Sequence, residues 1–263
     1  MIEIPEAIVV AKQLDEQLKG KTITEVIAAA SPHKFAFYYE DPKDYEKLLV
    51  NKKIICCYPQ AGRIEIELDS AYISFFDGVN LRYLDKDTKP PIKHQLYIGF
   101  DDGSSLVATI AMYGGLQAFP PGAMDDNGYY EASRKAVSPL SSDFTYDYFS
   151  SLFDDKSIKM SAKAFLATKQ RIPGLGNGVL QDILLNAKIH PKRKMNSLTE
   201  ENRKNMYDSI IFTLSEMVAA GGRNTEKDIY GNQGGYTTKL SKNNLASGCS
   251  ICVIPTFDPE LMT

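Results

Sequence analysis

The spacing of apolar and polar positions divides the chain into two regimes. In "PEAIVVAKQLDEQL", residues 5–18, the apolar side chains recur at helical spacing, and Pro5 suits a first helical turn. After "KGK" the pattern changes to short β-type runs, at 22–28, 35–39, 53–58, 63–68, 72–76, 81–84, 95–100 and 105–110, with a helix expected among them at 42–51. "GFDDGSSLVATI" sets Asp-Gly between two alternating runs, which is a hairpin signal. So many short strands at close spacing predict a sandwich or barrel. "PPGAMDDNGYYEA", residues 120–132, breaks the pattern and reads as an interdomain linker. Beyond it, "SSDFTYDYFSSLF", "SAKAFLATKQ", "GVLQDILLNAKI" and "TEENRKNMYDSIIFTLSEMVAAGG" are helical, the last with Thr199 as N-cap and glycines as its stop. The tail from Arg223 is rich in Gly and Asn.

The predicted class is α+β in two domains: a β-sandwich opened by a helix, then an all-helical domain with a short C-terminal tail. The expected divisions are 1–120, a linker at 121–137, 138–223 and a tail at 224–263. At 263 residues and 43% hydrophobic content the chain can bury a substantial core. No apolar run approaches the ~20 residues needed to span a bilayer, and "MIEIPEA" lacks the basic-then-apolar pattern of a secretory signal. The cysteines form an adjacent pair, Cys56 and Cys57, and one C-x-x-C, Cys249 and Cys252. That is a poor disulfide framework, so reduced thiols and a cytoplasmic protein are expected.

Charge changes the picture only when it is divided. The net charge of −3 weighs against a polyanionic partner, but residues 1–150 carry −7, residues 151–223 carry +5 and the tail −1. Local patches, not the average, set the field a polyanion feels. The positive segment contains "RIPGLGNGVLQDILLNAKIHPKRK", three glycines in five residues leading into an apolar run. A dinucleotide loop would need G-x-G-x-x-G after a strand; here the third position is Val179 and the preceding segment is helical. No P-loop pattern is present. The context is helix, glycine turn, helix, whose backbone amides are expected to cradle one phosphate. Lys169, Arg171, Lys188, Lys192, Arg193 and Lys194 flank it, as a polyanionic strand would require. A plain helical hairpin with a solvated basic face is the competing reading.

Two separated stretches, "MIEIPEA" and "GLGNGVLQDILLNAKIHP", together resemble the formamidopyrimidine-DNA glycosylase / endonuclease VIII family, with weaker similarity in "SPLSSDFTYDYF", "KAFLATKQ" and "GGRNTEKDIYGNQGGY". The resemblance covers roughly residues 1–240. It implies a helix-two-turns-helix domain and a base flipped from double-stranded DNA that carries a lesion or abasic site. It also implies attack by the N-terminal amine on the sugar and proton transfer by the adjacent glutamate. Carried over, the nucleophilic proline falls on Ile2 and the glutamate on Glu3. The lysine that touches a phosphate beside the lesion falls on Arg63. Asn177 and Tyr236 are the other DNA-binding positions implied; Lys169 of the basic flank and Gly176 of the glycine turn are expected to bind DNA beside them. Met112 and Tyr113 stand where an arginine and an aromatic fill the gap left by the flipped base; Phe or Val of "SFFDGVNLR" stands for the accompanying methionine. No cofactor is expected: Cys249 and Cys252 are half of a four-ligand zinc set. A monomeric, nucleoid-associated repair protein follows, with N-glycosylase and AP-lyase chemistry. Its rivals are a catalytically lapsed binder of lesion-bearing or bent DNA and a helix-hairpin-helix module of an unrelated enzyme.

Overall fold

The computed structural model describes residues 1–123 and 128–240. Helix α1 (Ile4–Leu18) opens the chain. Strands β1 (Ile23–Ala28), β2 (Ala36–Phe37), β3 (Ile54–Gln60), β4 (Arg63–Leu68), β5 (Tyr72–Leu84), β6 (Leu96–Phe100) and β7 (Ser105–Phe119) follow, with α2 (Tyr45–Leu49) after β2. The strands pair antiparallel in the order β1-β6-β7-β5-β4-β3, and short β2 lies parallel to β7. Helices α3 (Tyr129–Lys135), α4 (Tyr146–Ser151), α5 (Ala162–Ala167), α6 (Asn177–Asn186) and α7 (Glu200–Ala219) form the second part.

Two long strands carry the sheet, and the sequence pattern had divided one and truncated the other. Runs 72–76 and 81–84 are one strand, β5, and β7 extends nine residues past the run at 105–110. The interruption is a bulge: pairing passes from Asp77↔Gly114 to Val79↔Ile110, and Asp77 sits at φ +58°. Gly114 and Gly115 weaken strand propensity, but a side chain at 115 would strike the Phe76 ring within 1.9 Å. Tertiary crowding requires the glycines that local propensity counts against.

Each part has its own core, and α1 serves both. Ala7, Val10, Ala11, Leu14 and Leu18 pack under the strands, whereas Ile4 joins the helical core with Phe149, Phe165, Ile183 and Leu214. Thr199 caps α7 as expected, its hydroxyl accepting from Asn202 N–H at 3.2 Å. Two segments differ from expectation. The presumed linker contains α3, because Tyr130 has a buried site against Phe119, with ring centroids 5.2 Å apart. The described tail, 224–240, is not finger-like: it is an irregular strap that returns Ile229 to the strand core, where Tyr83 N–H donates to its carbonyl at 2.9 Å. Cys249 and Cys252 lie outside the described residues.

The two parts touch backbone to backbone. Gly62, in the β3–β4 turn, lies so close to Gly174 that a Cβ on Gly174 would stand 2.1 Å from Gly62 N, and Gly174 holds φ +81°. Ile4 N–H donates to Gly174 C=O at 3.0 Å. Gly174→Ala is therefore expected to cost roughly 4 kcal/mol in chemical denaturation, left-handed strain plus overpacking. Gly20→Ala, at φ +86° with nothing within 4 Å, should cost only the strain, about 1–2 kcal/mol; equal losses would show that the junction is soft.

Candidate active site

Glu3 occupies the N-cap position of α1, where the Glu6 carboxylate accepts its N–H at 3.3 Å. Its own side chain caps a different helix. Oε2 accepts from Gly176 N–H at 3.2 Å and Val179 N–H at 3.0 Å, and Oε1 from Gly178 N–H at 2.9 Å. This corrects the sequence-based expectation. The amide cup at the start of α6, Gly176 included, holds an internal carboxylate rather than a phosphate. The reason is burial: a carboxylate that is 4% exposed must find donors, and a helix N-terminus offers them with a favourable dipole. Glycine is needed at 176 and 178, where a Cβ would lie 2.8 Å from the Glu3 carboxyl carbon and 1.6 Å from Arg223 Nη1.

Arg223 completes the arrangement, and the sequence reading missed it. It follows the double glycine that ends α7 and is 2% exposed. Its Nε and Nη2 donate to Glu6 at 2.9 and 2.7 Å, Nη1 donates to Glu3 Oε1 at 3.3 Å, and Nη2 to Met1 C=O at 3.2 Å. The available signal was a single arginine within "GGRNTEK", a stretch already singled out for resemblance. Burial pushes the Glu3 carboxyl above the ordinary range; Arg223 and the α6 amides oppose this, and Glu6 adds to it. The two carboxylates hold the Arg223 guanidinium firmly protonated.

The residues before Glu3 depart from the implied roles. Ile2, expected in the nucleophile slot, is a buried core residue whose N–H donates to Asp77 C=O at 2.6 Å. With Met1 in place, Ile2 N is an amide, not an amine. The α-amine belongs to Met1, is partly exposed and pairs with Glu226.

These groups lie in a cleft of about 1100 Å³ between the two parts. Arg63, Phe76, Asp77 and Tyr113 line its strand side, and Gly174–Gly178, with Asn177 on the exposed first turn of α6, line its helical side. Arg63 is only 6% exposed: its guanidinium lies 3.9 Å from the Phe76 ring centroid, and Nη1 meets Ser74 Oγ and Gln117 Oε1, each at 3.4 Å. Lys169 is exposed at φ +61°, outside the cleft lining. Tyr236, implied as a phosphate contact, is instead packed in the helical core with its ring beside Asp182, because the strap folds it inward. The cleft's charged side chains are Glu3, Glu40, Asp77 and Glu226 against Arg63 and Arg223. The basic 192–194 segment lies beyond it, its backbone against the start of α5. Among the described residues no group of three or more His, Cys, Asp or Glu is placed to hold a metal ion, and no helix is long and apolar enough to cross a membrane.

Behind Arg63 lies a buried acid. Glu65 accepts from Ser74 Oγ at 2.5 Å and from Tyr130 Oη at 3.5 Å. Burial pushes its carboxyl up to about 7, against the pull of Ser74 and Arg63. A raised folded-state value means stability that is present below the ordinary carboxylate range and is lost as pH rises through about 7. Wild type should lose about 3 kcal/mol between pH 4.5 and neutrality, and Glu65→Gln should flatten that slope in denaturation curves taken across the window. Arg223→Ala leaves two buried carboxylates without their cation. It should cost on the order of 3–5 kcal/mol at pH 7 and recover part of this at pH 5, where protonation relieves the repulsion; a loss below 1 kcal/mol would mean the guanidinium is not needed.

Known proteins give independent bearings on this arrangement. Residues 136–228 match the family model described as formamidopyrimidine-DNA glycosylase H2TH domain. The chain is 27% identical to a formamidopyrimidine-DNA glycosylase of Cytobacillus firmus, over 97% of this chain and 94% of that one. It is 29% identical to that of Bacillus licheniformis over 84% and 80%. Among solved structures, the Lactococcus lactis Fpg in complex with abasic-site DNA superposes with a TM-score of 0.78 at 23% identity, covering 95% and 91% of the two chains. The Thermus thermophilus MutM (Fpg) protein gives 0.78 at 20%, covering 96% and 91%. The structural likeness establishes the fold. Residues 136–228 thus match the H2TH domain of formamidopyrimidine-DNA glycosylases, and nearly the whole length of the chain is similar to proteins of that name.

Proposed function

We propose that this protein is a DNA glycosylase of base-excision repair that binds double-stranded DNA carrying a lesion or an abasic site, working as a cytoplasmic, nucleoid-associated monomer without a bound metal. One observation carries the reading: the Glu3 carboxylate, bound to the first turn of α6, holds the chain's opening residues in the cleft between the two parts. In this reading the target nucleotide leaves the stack and enters the cleft, and Asn177, exposed on the first turn of α6, contacts the backbone. The nucleophile is the Met1 α-amine. Its attack on C1′ of the abasic sugar expels water and forms an imine. Loss of a C2′ proton then expels the 3′ phosphate by β-elimination, with Glu3 as the proton-handling group.

A second reading has its own support. Both Glu3 oxygens already accept two donors each, counting Arg223, and Ile2 N is an amide locked to Asp77. A carboxylate so engaged is a structural cap, and the protein would then recognise lesions without cleaving them. Borohydride trapping on abasic-site duplex separates the two. A covalent adduct that vanishes when the N-terminus is blocked supports the lyase. Salt-sensitive duplex binding without any adduct supports the lapsed binder. Under either reading Asn177→Ala should weaken binding about tenfold, near 1.4 kcal/mol, in anisotropy titrations; a chain that binds no duplex overturns both.

A further inference from the structure

The lyase reading leaves one proton without a destination. An α-amine attacks a carbonyl carbon only as the neutral base, so the Met1 ammonium must first hand a proton to a neighbouring group. Glu3 is poorly placed to take it, because each of its oxygens already accepts two donors from the α6 amides and Arg223. Glu6 is held in the same way by Arg223 Nε and Nη2. Asp77 gives its backbone C=O to Ile2 N–H, and its half-buried carboxylate feels the charge of the amine without a hydrogen bond to it.

Glu226 is placed differently. Its Oε2 accepts from the Met1 α-amine, which among the described residues has no other hydrogen-bond partner. Both members of the pair are pinned. On the amine's side, Met1 C=O accepts from Arg223 Nη2 at 3.2 Å, and Ile2 N–H donates to Asp77 C=O at 2.6 Å. On the carboxylate's side, Glu226 N–H donates to Arg223 C=O at 3.1 Å, and Glu226 C=O accepts from Gly234 N–H at 3.4 Å, within the strap that Ile229 anchors in the strand core. Arg223 Nη2 also lies 3.9 Å from Glu226 Oε1, so the guanidinium that fixes Glu3 leaves the other Glu226 oxygen to the amine. Both groups line the cleft, and the Glu226 side chain is 22% exposed. A carboxylate with solvent at its edge and one oxygen on the amine is able to take a proton and give it back, which the saturated Glu3 is not placed to do.

We propose that Glu226 is the catalytic base that frees the Met1 α-amine for attack and the acid that then releases water. The proposal rests on the lyase reading above. Glu226 takes one proton from the ammonium, and the freed nitrogen lone pair bonds to C1′ of the open-chain abasic sugar while the C=O π pair moves onto oxygen. That oxygen takes a proton from nitrogen. Glu226 returns its own proton to the same oxygen, water leaves, and the nitrogen lone pair closes the C=N bond of the protonated imine. The carboxylate is thereby regenerated.

The test follows the rate at which borohydride-trapped adduct accumulates on abasic-site duplex at neutral pH. Glu226→Gln keeps a hydrogen-bond acceptor at the amine but takes no proton, and should form adduct about a hundredfold more slowly, at the low end of general-base catalysis. Glu226→Ala should be as slow, and added acetate should restore part of its rate while leaving wild type unchanged. A purely positional side chain would not be replaced by free acetate. Melting curves and anisotropy with the same duplex check that both variants fold and bind. A wild-type rate in Glu226→Gln, or a slow Glu226→Ala that acetate leaves slow, overturns the proposal and leaves the lyase reading standing. Wild type that forms no adduct removes the lyase reading and the proposal with it.

Discussion

One buried charge cluster organises this molecule. The Glu3 carboxylate meets the amide end of α6 and the Arg223 guanidinium, which in turn holds Glu6 and the Met1 carbonyl. Taking three charged groups out of water costs several kcal/mol per ion, so the arrangement persists only because each has partners of good geometry. The cluster draws on the chain's first residues, the glycine turn at 174–178 and the strap after α7. Segments far apart in sequence are thus bound to one point, and the cleft between the two parts inherits its shape from it.

That anchoring explains the chemistry of the cleft as much as its geometry. A helix N-terminus is a ready anion site, and here an internal anion occupies it. The α6 amides are therefore spent on fixing the chain's own start, and Asn177, on the exposed face of the same turn, is left to face solvent. Arg63 is treated similarly: stacked on Phe76 and bonded to Ser74 and Gln117, it is a pre-positioned charge in the cleft wall rather than a mobile surface cation. Basic residues face outward in both parts, among them Lys34 and Lys86 of the strand part and Lys169 and Lys194 of the helical part. The result is a cleft with acidic and aromatic walls, in a fold shared with DNA glycosylases.

The strap after α7 has a second effect. By returning Ile229 to the strand core and Tyr236 to the helical core, residues 224–240 bind both parts together. With the Gly62–Gly174 backbone contact, this makes the relative placement of the two parts a property of packing rather than of a flexible linker. The helix within the presumed linker, seated by Tyr130, contributes to the same end.

Much of this was legible along the chain. Periodicity placed α1, most strands, α7 with its Thr199 cap and the change from β to α, because each depends on neighbours within a few residues. The glycine turn was visible as a motif, and Glu3 was singled out by the resemblance of the opening residues to a known family. What tertiary structure alone decided is how those motifs meet. That the α6 amides take Glu3 and not a phosphate, that Arg223 is central, that Tyr236 points inward and that Gly114 and Gly115 continue a strand all follow from contacts between residues tens to hundreds of positions apart. Local pattern reports propensity; burial of charge and crowding of backbone, which exist only once the chain has folded, selected among the partners that propensity allowed.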